Sequence, residues 1–108
     1  EAVSRAIHTA RQVLKIGGEV LVRDYAEGDG AHVRYLETPA SRVIDRNLCI
    51  RGDGTQAYFF PLDMLRRLFE EQGFDGTDCR VIEAEPSAQG GLPRKYVQGR
   101  FVLMKHPD

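Results

Sequence analysis

Apolar residues first recur along this chain at helical spacing. Ala2, Val3, Ala6, Ile7, Ala10, Val13 and Leu14 fall on one face, while Arg5, His8, Arg11, Gln12 and Lys15 lie largely on the other. The pattern predicts an amphipathic helix over residues 2–14, with Gly17-Gly18 as a left-handed stop. Glu19 to Tyr25 (E-V-L-V-R-D-Y) follows at once, rich in Val and Leu, and predicts a short buried strand. From Ala26 to Arg46 no clean period remains. Gly28, Gly30 and Pro39 interrupt this stretch, which predicts a loop with one short helical turn. Leu48 to Arg51 and Gln56 to Phe60 are β-rich pieces around Gly52-Asp53-Gly54-Thr55. An Asp-Gly pair in that position predicts a hairpin closed by a primed turn, which needs positive φ at its centre.

Pro61 then stands where the first turn of a helix tolerates a missing N–H, and Leu62, Leu65, Leu68 and Phe69 form an apolar stripe ending before Gly73. Cys79 to Ala84 and Val97 to Lys105 predict two more strands. The connection from Glu85 to Lys95 is polar and carries Gly and Pro without a helical period. Such a connection favours an antiparallel return, because a parallel crossover would need a helix. The order is therefore helix, strand, hairpin, helix, strand, long loop, strand, an α/β pattern. Three principal strands and two helices cannot cover both faces of a buried sheet, so the rest of the domain is expected upstream. The chain also opens at Glu1 in mid-helix pattern, which agrees with that expectation.

Composition narrows the function classes only a little. A length of 108 residues suits one domain, and 42% hydrophobic with 29% charged residues is ordinary for a soluble globular protein. A net charge of −1 argues neither for nor against a polyanionic partner, so any nucleic-acid site must be a local patch. Cys49 and Cys79 are isolated from each other and from histidine, and read as buried thiols of a reducing compartment rather than a disulfide or zinc pair. His8, His32 and His106 lack metal-ligand spacing, and no metal is expected. No apolar run approaches the roughly 20 residues that span a bilayer, so no membrane is expected as a partner.

Two motifs carry the specific signal. Arg23, Asp24, Tyr25, Asp29, Ala31, Arg34 and Tyr35 form R-D-Y-x-x-x-D-x-A-x-x-R-Y. Asn47, Ile50, Arg51 to Thr55 and Tyr58 to Phe60 form N-x-x-I-R-G-D-G-T-x-x-Y-F-F. Preceded by R-Q-V-L-K-I-G-G-E-V-L-V, the pair resembles the methyltransferase-like enzymes that make 3-methylcytidine in the anticodon loop of tRNA. The resemblance covers roughly residues 1–74, with departures at Ala26, Gly28, His32 and Gln56. It implies the C-terminal part of a Rossmann-like, seven-stranded class I methyltransferase sheet, with an antiparallel last strand and a β-hairpin insertion. The whole chain, 1–108, would then be the C-terminal portion of one methyltransferase domain. It also implies S-adenosylmethionine (AdoMet) as methyl donor, held mainly by residues upstream of this chain, and tRNA as partner, with a protein that presents the tRNA as a further candidate. A cytoplasmic location is expected, the mitochondrion and nucleus being the other compartments left open. The alternatives are a class I methyltransferase acting on a protein or small molecule, and a non-catalytic remnant that binds RNA or a partner.

Methylating N3 of cytosine needs a base held out of its stack, in line with the methyl group, while positive charge develops on the ring. Asp24 and Tyr25 are the candidate catalytic residues, because open α/β sheets bind ligands at the carboxyl ends of their strands. Asp24 would support the base electrostatically, and Tyr25 would stack on it or hydrogen-bond to it. In the alternative, Asp24 caps the following turn and Tyr25 packs on the core. Arg23, Arg34, Arg51 and Tyr58 are the candidate substrate-binding residues, the arginines facing phosphates and the tyrosine a base. A solvated loop with ordinary ion pairs is the other reading of Arg34, Arg42 and Arg46, with Arg51 the exception because it belongs to the motif, and core packing is the preferred reading of Phe59.

Overall fold

A computed structural model describes residues 2–37, 42–51, 53–84 and 93–105. Pro39, Gly52, residues 85–92 of the expected return loop and His106 lie outside the described residues. Helix α1 runs Ala2–Val13 and leads through a turn with Gly17 at φ 88° into β1, Glu19–Tyr25. Helix α2 covers Gly30–Glu37, and three short strands follow: β2 Arg42–Asp45, β3 Leu48–Ile50 and β4 Gln56–Tyr58. Helix α3, Leu62–Glu70, precedes the two long strands β5, Phe74–Ala84, and β6, Arg94–Leu103. Pro61 is the N-cap of α3, extended at φ −65° and ψ 133°, where it withholds no helical hydrogen bond.

The described residues form a mixed α/β structure with two antiparallel sheets. The larger has strand order β1-β6-β5, so β6 enters between two strands that run parallel to each other. The antiparallel return expected between the last two strands is present, and both strands start earlier than the sequence pattern indicates. Helices α1 and α3 cover one face. Ile7, Leu65 and Phe69 pack there with Phe74, Cys79, Val97, Phe101 and Leu103. Phe69 lies flat against Phe101, with ring centroids 3.8 Å apart and planes 2° from parallel. The opposite face is charged: Arg100 bonds both Glu19, at 2.9 Å, and Asp78, at 3.3 Å.

Strand β1 departs from the buried strand its composition suggests. It is an end strand of its sheet, packed by helices on one face only, so burial alternates and Leu21 is 75% exposed. Val13 likewise stands 81% exposed at the last turn of α1, although it shares the apolar stripe of that helix.

The second departure lies between residues 26 and 46. A full helix and a strand replace the expected loop, so the small sheet is a three-stranded meander, β2-β3-β4. Its β3–β4 connection also differs from a primed turn. Arg51 N donates to Thr55 O and Gly54 N donates to Arg51 O, and of the described turn residues only Gly54 has positive φ, 91°. That is the geometry of a longer loop ending in a left-handed glycine, and Asp53 secures it by accepting from Thr55 N and Oγ1.

Candidate functional site

The two sheets meet at the carboxyl end of β1. Tyr25 O accepts from Phe60 N, Glu27 N donates to Phe60 O, and Ala26 forms an isolated parallel bridge with Phe60. Alternation along Tyr58-Phe59-Phe60 then divides the aromatic run between two cores. Tyr58 and Phe60 turn to the large sheet and its helices, while Phe59 enters the second core with Cys49 and Ala57. Phe59 is 1% exposed, which confirms core packing for it. Tyr25, Ala31 and Tyr35 close that second core from the other side.

Period-two geometry separates the two candidate catalytic residues. Asp24 shares the helix-covered face with Val20 and Val22 and forms the polar end of an apolar groove of about 350 Å³ lined by Ile7, Phe60 and Leu65. Its Oδ1 accepts from Tyr25 N at 2.7 Å. Tyr25 points to the other face, where Tyr96 of β6 stands directly opposite in register. The two rings stack at 5.9 Å and 30°. The Arg23 guanidinium lies 4.6 Å over Tyr96, and that of Arg94 lies 5.3 Å over Tyr25. Arg23, Asp24, Tyr25 and Tyr96 together line a second cavity of about 370 Å³. The strand end thus offers a carboxylate on one side and an aromatic–guanidinium stack on the other.

The remaining candidate residues lie farther away or have local partners. Arg34 is exposed on α2. Arg51 donates through one guanidinium nitrogen to Thr55 Oγ1 at 3.2 Å and to Gln56 O at 2.8 Å, bracing the β3–β4 loop. Tyr58 meets Phe60 edge-on at 4.8 Å and donates to Met64 Sδ at 3.4 Å.

Asp29 and His32 hold this region together, and neither was singled out for a role by the sequence. Asp29 is fully buried and caps α2, its Oδ2 accepting from Ala31 N at 3.0 Å. Its Oδ1 accepts from Arg94 Nε at 2.9 Å and from Lys95 N at 2.7 Å, which ties the helix start to β6. Burial alone would raise the Asp29 pKa, but the bonds from Arg94, Lys95 and Ala31 outweigh it and hold the carboxyl below its ordinary value. Arg94 is pushed up in turn by the same carboxylate.

His32, also buried, stacks on Phe59 at 4.7 Å and 9°. Its Nδ1 accepts from Gly28 N at 2.9 Å, so its Nε2 carries the proton donated to Arg46 O at 2.7 Å. Three of the four motif departures therefore fall on structural positions: Ala26 has no exposed surface, Gly28 adopts φ 85°, and His32 bridges α2 to the β2–β3 turn, while Gln56 is exposed at the start of β4. An Asp before a helix is a capping signal, but it goes unread when the helix itself is missed.

Among the described residues no group of three or more His, Cys, Asp or Glu could hold a metal, and no helix is long and apolar enough to cross a membrane. The two cavities offer apolar walls, one carboxylate and a tyrosine–arginine stack.

No family model matches the chain. Curated proteins do. A tRNA(Thr) (cytosine(32)-N(3))-methyltransferase of Saccharomyces cerevisiae is 35% identical over 101 residues, which are 90% of this chain and 15% of that protein. The tRNA N(3)-cytidine methyltransferase METTL2 of Danio rerio is 37% identical over 110 residues, 99% of this chain and 30% of its own length. METTL6 of Homo sapiens, carrying the same enzyme name, is 36% identical over 94 residues, 84% of this chain and 32% of its own length. The chain thus spans about a third or less of the curated relatives it matches.

Proposed function

We propose that this chain, homologous over most of its length to part of the tRNA N(3)-cytidine methyltransferases, is the C-terminal part of such an enzyme and serves 3-methylcytidine formation in the tRNA anticodon loop. The observation that carries the proposal is the position of Arg23-Asp24-Tyr25. These residues end a strand at a cavity, where open α/β sheets receive ligands. In the complete domain, β1, β6 and β5 would form the last part of the seven-stranded sheet, with β2-β3-β4 as a substrate-side insertion. AdoMet, which supplies an electrophilic methyl group, would be held by residues upstream.

Asp24 then lies beside the positive charge that grows on the cytosine, and Tyr25, whose ring is taken up by Tyr96 and Arg94, reaches the base by hydrogen bonding through its hydroxyl rather than by stacking. Arg23 and Arg34 face the phosphates, and Arg51 and Tyr58 keep the insertion in the shape that places them. The test is transfer of labelled methyl from AdoMet to tRNA by the full-length protein, with the nucleosides identified by mass spectrometry. Label in 3-methylcytidine is expected; bound AdoMet with no label in tRNA would sink the proposal. Asp24→Ala should lower turnover about a hundredfold, the usual cost of a misplaced reacting group, with AdoMet affinity unchanged. Loss of AdoMet binding would instead put Asp24 in the cofactor site.

A further inference from the structure

We propose that Tyr96 is a nucleobase-stacking residue for the RNA nucleotide that flanks the methylated one, and that Arg23 is its exchangeable cover. The inference rests on tRNA as substrate and adds a residue that the sequence motifs do not contain. Tyr96 comes from β6, far along the chain from Arg23 and Tyr25, and antiparallel pairing sets it directly opposite Tyr25. One side of its ring meets Tyr25, and the Arg23 guanidinium lies 4.6 Å over the ring. The 5.9 Å between the Tyr25 and Tyr96 centroids leaves no gap for an inserted base, and Arg94, which lies 5.9 Å from the Tyr96 centroid, is held by Asp29, so an incoming base stacks on Tyr96 in place of Arg23.

Arg23 can leave. It is exposed, and no described carboxylate forms an ion pair with it, unlike Arg46, Arg66, Arg94 and Arg100. Once displaced, its free charge lies beside the entering nucleotide and can take that nucleotide's phosphate. A surface cation–π contact is exchanged for base stacking and a charge-assisted bond, and the stronger pair wins. The platform beneath is held in place, because buried Asp29 fixes Arg94 under Tyr25.

Binding of a fluorescein-labelled single-stranded oligoribonucleotide by the full-length protein reads this subsite without methyl transfer. Tyr96→Leu should weaken binding about tenfold, and Tyr96→Phe, which keeps the ring, should bind as wild type. Arg23→Gln should reduce the slope of log K against log salt by about one phosphate contact. In tRNA methylation, Tyr96→Leu should raise KM about tenfold, with a smaller fall in kcat because Tyr25 loses its stacking partner. Equal affinity of wild type and Tyr96→Leu for the oligonucleotide, or no binding by wild type, overturns the subsite even if tRNA methylation stands. Stacking that survives in a protein making no 3-methylcytidine would overturn the proposed reaction and leave the RNA subsite standing. Tyr96→Phe and the surface change Arg23→Gln keep the test informative should Tyr96→Leu fold poorly.

Discussion

Asp29→Ala should lower the unfolding free energy by about 4 kcal/mol, because it strands a guanidinium and two backbone N–H groups that the carboxylate now satisfies. The loss is large because the carboxylate is fully buried and joins positions 65 and 66 residues apart in sequence, Arg94 and Lys95. Asp29→Asn should cost less than Asp29→Ala, since a neutral amide retains an acceptor. Acid should act on the same bond. The folded pKa lies below the unfolded value of 3.8, so the stabilisation is complete above that value and disappears as pH falls through the folded pKa. Urea unfolding from pH 7 to pH 3 should therefore show a steeper acid loss in wild type than in Asp29→Asn. Parallel curves, or a loss under about 1 kcal/mol for Asp29→Ala, would mean that water replaces the carboxylate without difficulty.

Phe59→Ala should be of similar size, about 4 kcal/mol, because it empties the centre of the second core. Phe59 touches His32 at 4.7 Å, Tyr25 at 5.9 Å and Tyr35 at 6.3 Å between ring centroids. Among the described residues the buried apolar members of that core are Cys49, Ala57 and Phe59, so little else can close the hole. The loss should be local in character. Hydrogen exchange is expected to show β3 and β4 amides opening while those of β6 stay protected, because Phe101 and Leu103 belong to the other core. Uniform loss of protection in both sheets would show that the two cores unfold as one.

Much of the architecture was legible in the chain. Helical periodicity marked α1 and α3, a Val- and Leu-rich run marked β1, and β-rich pieces marked β3, β4 and the later parts of β5 and β6. Helix α2 was hidden because its buried face is built from Gly30 and His32, residues that give no hydrophobic period. Strand β2 was hidden because it is short and its Val43 and Ile44 are both exposed. The wrong turn type followed from the Asp-Gly pair, which allows a primed turn but does not require one when a longer loop satisfies the same backbone groups.

Of the candidate site, sequence alone determined the contiguous part: Arg23, Asp24 and Tyr25 at a strand end, within motifs that point to tRNA cytidine methylation. Alternation even dictates that Asp24 and Tyr25 face opposite ways. Only the tertiary structure decided what stands beside them. Tyr96 and Arg94 reach Tyr25 because β6 returns antiparallel between β1 and β5, and Asp29 meets Arg94 because α2 begins where β6 begins. Local pattern reports the period and chemistry of neighbours in sequence. Register and ion pairing between residues far apart are set by the global packing that no local window contains.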